Sequence, residues 1–559
     1  MPGKTEIAIV GLVLIVIILS SGTMYYATTA INSISTLSDQ VTSLQNALNT
    51  KFASLEATLV VGTTDSVELT LDPAQAYDYF GWNIMQQIGG TLVAVNPGSA
   101  TGTDFVGDLA TSWNSSIDTT VWDFTLRTGV KLANGVELNA THIKYSFDRS
   151  IELIPNIPDG APANLGYGDI INHTEVLDTY RIRFVLNSAF SAFLGIIACR
   201  ASAIVDPAYA PLMTQVNYTA GDARASTPLA FVGPYVLSEW DRVGGKDQEI
   251  KLDANPDYWN APAEYPKTKH IIFKFYSDET SLRLAISAGD VDMAYRSITA
   301  NDILDLQTNP NVKVWQGGGA FVQYLCFQTI RPPFNDPRVR MAVVAALNRT
   351  SVAQTVFLGL AKPLYSIIPP GMLGHSEAFQ SLGDANYTLT RSLLAQLGYD
   401  ESSPLQFDLW YPTGHYQQTE AQALVYEQAL EASGVIKVTL KTADWPSYKS
   451  NRDSKIMDAF IYGWYPDYMD PDDYAFLYWA PWLQTSYSNA TQVALYNQAR
   501  STTNSTLRLQ LYGTIDNMAV QQCSVAPLFN MRAWAVTKPS VYGVYLDITE
   551  DMRYWLISK

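Results

Sequence analysis

An α/β fold is expected for this chain, and three observations carry the expectation. Segments of period-two alternation are interleaved with segments of helical period over most of the sequence. The 559 residues are too many for one core, and a 47% hydrophobic content without low-complexity tracts means that most of the chain folds, as several domains or lobes. Only the first 59 residues depart from this texture, and they read as an anchor followed by a stalk.

The anchor comes first. Ile7 to Leu19, IAIVGLVLIVIIL, is an unbroken apolar run. Small residues and then Tyr25 and Tyr26 continue it, and Ile7 to Tyr26 is about the length that crosses a bilayer as a helix, with the tyrosines at the interface. Residues 1–26 are therefore expected to be a signal-anchor and membrane helix. Ile34, Leu37, Val41, Leu44, Leu48, Phe52, Leu55 and Leu59 then follow at spacings of three and four, a heptad seam with one stutter. The positions between them are mostly polar. Residues 27–59 are expected to form a coiled-coil-like stalk, about 50 Å long at 1.5 Å per residue, through which copies of the chain could associate.

From Thr58 the pattern changes. TLVVGTT is a β-branched strand, and LDPAQAYDYFGWNIMQQIGGTLV is a turn and a helix. TTVWDFTLRTGVKLANGVEL alternates with period two and breaks at Asn134-Gly135, a hairpin signal. HIIFKFY and KVTLKTA read as strands. DETSLRLAISAG, DPRVRMAVVAALNRTSVAQTVFLG and YTLTRSLLAQLG read as helices. Gly317, Gly318 and Gly319, in VWQGGGAFVQY, form the best candidate for a pivot between lobes.

Composition removes several function classes. The net charge is −17, so there is no basic stripe for nucleic acid. Cys199, Cys326 and Cys523 lie far apart, without metal-ligand spacing, and read as buried free thiols. There are five histidines and no HExxH, so no metal site and no cofactor are expected. Gly374-His375-Ser376-Glu377-Ala378 imitates a nucleophile elbow, but Pro369-Pro370-Gly371 precedes it where a strand is required. No nucleophile, base and orienter come together, so an enzyme is not expected. Asn-x-Ser/Thr occurs at Asn114, Asn139, Asn172, Asn217, Asn348, Asn386, Asn489 and Asn504, all beyond the stalk, as glycosylation acceptors on an exported protein would be.

IYGWYPDYMDPDD, residues 461–473, sets acids among aromatics. Asp470, Asp472 and Asp473 read as acids that shape or solvate a turn. A calcium loop would need a frame that is missing.

Eight blocks in order, from LDPAQAYD through DLATSWNSSIDTTVWDFTLRTGVKLANG, GPYVLSEWD, SLRLAISAGDVDMA, PPFNDPRVRMAVVAALNR, LGLAKPLYSIIPPGM and YGWYPDYMDPDDYAFLYW to QCSVAPLFNMRAWAV, give the chain a resemblance to the family 5 extracytoplasmic solute-binding proteins of ABC transporters. The resemblance covers about residues 58–550. It implies a two-lobed periplasmic-binding-protein-like fold of type II: lobe I over 60–318 with an inserted subdomain at 96–228, lobe II over 319–530, and a return to lobe I over 531–559. Gly317–Gly319 then fall at the first crossing. The resemblance also implies a short peptide bound as an added strand in the cleft. Gly463 and Tyr465 would offer backbone, Trp464 would pack on the ligand, and Asp467 would pair with its α-ammonium. A strand around Val67 and Glu68 would be the opposing backbone. The implied partners are a peptide and a membrane permease, at the cell surface. Bacterial relatives usually use a lipidated cysteine; the N-terminal anchor here, and its basic start PGK, resemble archaeal surface proteins instead.

Two alternatives stay open. With 13 Trp and 33 Tyr, the same fold could stack on oligosaccharide rings. The stalk also fits a structural or sensory surface protein without transport.

Overall fold

The structure, a computed structural model, describes residues 36–45, 58–208 and 232–559, apart from residues 69, 133, 297 and 547. The chain divides into two compact units, residues 1–58 with Lys559 and residues 59–558. In the first unit, residues 36–45 are helical and exposed, with Leu37 at 62%, Val41 at 50% and Leu44 at 71%. The expected membrane helix at 1–26 lies outside the described residues, as does the rest of the stalk up to residue 57. Among the described residues, no helix is long and apolar enough to cross a membrane. Leu59 does not end the seam. It lies in the strand Thr58–Thr63 and is fully buried, because from Thr58 the alternation takes over from the heptad.

Two large mixed sheets organise the second unit. The seven-stranded sheet runs, in spatial order, Lys313–Gln316, Trp534–Thr537, Met293–Tyr295, Thr58–Thr63, His270–Phe275, Lys246–Ala254 and Tyr235–Val243. Thr58–Thr63 sits at its centre, parallel to Met293–Tyr295. Successive side chains serve opposite faces: Leu59 and Val61 enter one apolar cluster, while Val60 packs on a second with Leu282, Ile286 and Val536. The six-stranded sheet runs Ala361–Pro363, Val525–Met531, Phe321–Phe327, Ala459–Trp464, Leu405–Thr413 and Ile436–Asp444, with an apolar cluster of its own. A four-stranded antiparallel sheet, Ala110–Ser115, Val121–Leu126, Arg181–Leu186 and Ile171–Asp178, adds to the side of the first core.

The Asn134-Gly135 signal gives a short hairpin. Gly135 takes φ 84° and its N–H reaches the Leu132 carbonyl, and Leu132 N–H to Val136 O at 2.9 Å and Leu138 N–H to Val130 O at 2.8 Å flank the antiparallel bridge of Lys131 with Glu137. Val121–Leu126 pairs instead with the strands on either side of it in the four-stranded sheet. Gly244 and Gly245, both at positive φ, close the long hairpin of Tyr235–Val243 with Lys246–Ala254. The long helical pattern from Asp336 splits into Pro337–Ala346 and Arg349–Thr355, because Asn348 starts a new helix by capping Ser351 N–H.

The two large sheets are joined where the triple glycine lies. The chain leaves Lys313–Gln316, passes Gly317–Gly319 and enters Phe321–Phe327. It returns from Val525–Met531 through Arg532 and Ala533 to Trp534–Thr537. The two crossings are hydrogen-bonded side by side, Gly317 N–H to Ala533 O at 2.9 Å and Ala533 N–H to Gly318 O at 2.9 Å. Neither Gly317 nor Gly319 has positive φ. Close approach is what demands glycine: a Cβ on Gly319 would stand 2.0 Å from the Met531 carbonyl oxygen, and one on Gly317 would stand 2.3 Å from that of Leu546.

Candidate functional site

Ala459–Trp464 is buried along its whole length and lies inside the six-stranded sheet, where Gly463 is opposite Gln323. Gly463 has no room for a side chain, since a Cβ would stand 2.8 Å from the Phe321 ring. Its carbonyl accepts from Tyr324 and Tyr416 hydroxyls at 3.4 Å each. Trp464 turns into the core. Its indole N–H donates to Asp473 at 3.1 Å, and the ring stacks on Trp482 at 5.3 Å.

Beyond the strand the chain crosses to the other sheet's side. The Tyr465 ring lies 4.5 Å from Phe321 and 5.4 Å from Tyr79. The Arg296 guanidinium stacks over both tyrosines, 3.7 Å from the Tyr79 centroid and 4.5 Å from that of Tyr465, and is ion-paired with Asp65 at 2.9 Å. Asp467 is 9% exposed. Its carboxylate accepts the Tyr77 hydroxyl at 2.7 Å, and its own N–H donates to Asp473 at 3.0 Å. Burial pushes its pKa up to about 7, against the lowering effect of Tyr77 and of Arg200. Asp473 is also raised, well above the usual carboxylate range, by burial and then by the charge of Asp467. Two carboxylates thus share a dry site, and the pair holds a proton more readily than either acid would in water.

The neighbouring acids are not solvated turn residues. Asp470 is buried against Arg508, and its carboxylate also accepts the Asp472 N–H at 2.9 Å. Asp472 pairs with Arg500 at 3.3 Å and accepts the Tyr468 hydroxyl at 2.7 Å. Asp473 accepts from Trp464 and from the Asp467 backbone. They do shape the turn, as the sequence reads, through Asp472 N–H to the Asp470 carboxylate and Asp473 N–H to the Asp470 carbonyl; what a local window does not show is the arginines on the helices Ala490–Arg500 and Ser505–Gln522 that reach back to Asp472 and Asp470.

Val67 and Glu68 lie outside any strand, since Thr58–Thr63 ends before them. Val67 is fully buried and both its backbone groups are engaged: its N–H donates to Asp247 at 2.8 Å and its carbonyl accepts from Arg242 at 3.0 Å. Glu68 is exposed. The structure therefore brings Asp467 against Tyr77 and Tyr465 against Tyr79, keeps Gly463 among Phe321, Tyr324 and Tyr416, and sets Val67 into a separate network.

A cavity of about 240 Å³ opens beside Asp467. Pro466 to Met469 form one wall. The end of the helix Tyr79–Ile88, the residues around Cys199 and Arg200, and the C-terminal stretch around Asp551 and Trp555 form the others. Arg200 is ion-paired with Asp551. Tyr77, Arg200, Arg296 and Trp555 had no signal of their own in the sequence, although Tyr77 stands in the LDPAQAYD block. All three cysteines are buried free thiols. Among the described residues no cluster of His, Cys, Asp and Glu could hold a metal ion.

Two α/β sheets, each with its own core, are joined by paired crossings and carry a buried carboxylate on a cavity; this is the build of a two-lobed solute-binding protein. The sequence matches the family described as bacterial extracellular solute-binding proteins, family 5, middle part, over residues 104–484, and the chain belongs to that family. It is an extracytoplasmic solute-binding protein and not an enzyme. The probable D,D-dipeptide-binding periplasmic protein of Escherichia coli (strain K12) is 27% identical over 498 residues, 87% of this chain and 90% of that protein. Di/tripeptide-binding protein 2 of Pseudomonas aeruginosa (strain UCBPP-PA14) is 28% identical over 397 residues, 68% of this chain and 71% of that protein. Among solved structures, the ABC transporter-associated periplasmic binding protein of Helicobacter pylori in complex with the peptide STSA superposes with a TM-score of 0.75, at 22% identity, over 90% of this chain and 98% of that one. It shows a mixed α/β periplasmic-binding-protein-like fold.

Proposed function

We propose that the chain is the substrate-binding protein of an ABC importer and captures short peptides between its two lobes, with Asp467 pairing the ligand's α-ammonium. One observation carries this reading: a carboxylate on a cavity wall, buried far enough that its pKa rises to about 7. A buried anion of this kind is costly, and an incoming cation removes the cost. The relatives named for dipeptides and for di- and tripeptides support it. Gly463 and Tyr465 supply backbone, Gly317–Gly319 with their return partner act as the hinge, and a membrane permease receives the ligand. Lobe I runs over 60–318, with an inserted subdomain at 96–228, and returns over 531–559; lobe II runs over 319–530. The N-terminal segment anchors the chain at the cell surface, and the exposed Leu37, Val41 and Leu44 are the stalk's self-association seam.

Calorimetry of the full chain at pH 8 with trialanine, N-acetyl-trialanine and maltotriose tests the reading. Trialanine should bind, and acetylation, which removes the ammonium, should cost at least about 2 kcal/mol, in the range of breaking a charged hydrogen-bonded pair. Maltotriose binding without trialanine binding would replace the peptide reading with the oligosaccharide one. No binding by either would favour the surface-protein alternative.

A further inference from the structure

The cavity beside Asp467 has the size of one large side chain. At about 240 Å³ it exceeds the roughly 150 Å³ with which an apolar protein cavity takes up benzene. It falls short of the roughly 300–1,000 Å³ of clefts that enclose a whole drug-sized ligand. It suits a single large side chain.

Its walls are aromatic, and apart from Asp467 the charged groups on them already have partners. Trp259, Trp555 and Tyr258 line it, with Met85 and Val106. The Trp259 ring is fixed from one side by the Arg127 guanidinium, 3.9 Å from its centroid, and its indole N–H donates to Asp108 at 3.1 Å. Asp108 also accepts the Thr91 N–H at 2.9 Å. Trp555 is held through its carbonyl, which accepts the Lys267 N–H at 3.0 Å. Asp551 and Arg200 are paired with one another. A charged side chain entering this space would lose its hydration and would have to displace an existing pair. An aromatic one would bury a large rigid surface at small entropic cost, and rings already in place offer edges and faces to it.

Asp467 lines this same cavity. An ammonium held there sets the ligand's first Cα at the cavity mouth. We propose, resting on the peptide reading above, that the cavity receives the side chain of the ligand's first residue and selects a large aromatic one. Trp259 and Trp555 are then the specificity-determining residues.

The test is calorimetry on the full chain at pH 8, with tryptophanyl-alanine, alanyl-tryptophan, dialanine and lysyl-alanine. Tryptophanyl-alanine should bind at least about tenfold more tightly than dialanine, and alanyl-tryptophan and lysyl-alanine should not share the gain. Trp555→Ala, which enlarges the cavity, and Ala94→Phe, which fills it, should each bring that ratio towards one, and Trp555→Phe should restore most of it. Cooperative thermal unfolding of each variant checks folding, and the wild-type ratio decides alone where a variant fails. A wild-type ratio near one overturns the pocket and leaves the peptide reading standing. So does a ratio that survives both Trp555→Ala and Ala94→Phe. If no dipeptide binds, the peptide reading and the pocket fall together.

Discussion

Asp467 carries a prediction that separates the free from the bound protein. Its pKa of about 7 in the fold lies above the ordinary 3.8 of an unfolded carboxylate, so the folded state holds the proton more tightly. The stability this contributes is complete below about pH 4 and is lost as pH rises through 7. Asp467→Asn should therefore raise the stability of the unliganded chain at pH 8 by roughly 1–3 kcal/mol and leave it nearly unchanged at pH 4. Urea unfolding at the two pH values measures it; equal effects at both would contradict a buried, proton-hungry Asp467. Ligand affinity should move the other way. A bound ammonium stabilises the anion and lowers its pKa, so affinity is highest between about pH 7 and the ligand ammonium's own pKa of about 8, and falls, by up to about tenfold per unit, below pH 7. The place of Asp467 could be read from sequence because it stands in a compact motif. Tyr77, its hydrogen-bond donor, could not, because 390 residues separate them and no local pattern links the two.

At the scale of elements, the Asn-x-Ser/Thr motifs have a second physical meaning. Asn139, Asn348, Asn386, Asn489 and Asn504 are all helix N-caps, each accepting a backbone N–H from the first turn. The Ser or Thr that completes each motif falls at the second helical position, so a run of capped helices generates sequons by itself. Asn114 and Asn172 lie on exposed strand positions instead, and Asn217 is outside the described residues. Asn348→Ala should cost about 1 kcal/mol through the lost cap, whereas Thr350→Ala destroys the same sequon and spares the cap. Thermal unfolding of both variants, made in a host without glycosylation, distinguishes the roles: equal losses would argue against capping. The acids after Trp464 teach a similar lesson. Composition marks them as a turn, and only the packing of two distant helices shows that Asp470 and Asp472 are also buried ion pairs. Arg508→Ala should leave Asp470 uncompensated and cost about 3–5 kcal/mol, which chemical denaturation would register.

For the whole molecule, the order of strand and helix patterns gave only the α/β class; the division in two came from the family resemblance, which set the triple glycine at the crossing where one sheet gives way to the other. The return crossing at Arg532 and Ala533 carries no such mark, because it needs no special backbone conformation; its partner supplies the space. Gly319→Ala is expected to force the crossings apart, since the new Cβ would meet the Met531 carbonyl at 2.0 Å. A loss of about 1–3 kcal/mol in stability is expected, together with a smaller ligand-induced contraction in small-angle scattering. Unchanged scattering with unchanged stability would remove the crossing from any role in closure.

The position of Trp534–Thr537 also governs the order in which the chain can mature. That strand lies between Lys313–Gln316 and Met293–Tyr295 and bonds to both. The seven-stranded sheet therefore stays incomplete until residues beyond 530 have left the ribosome or the export channel. All six strands of the other sheet lie between residues 361 and 531 or in Phe321–Phe327, so that half can close on itself first. The half that emerges first is finished last. In the interval Met293–Tyr295 and Lys313–Gln316 wait without the strand that bonds to both, which is when an exported chain most depends on a holding chaperone.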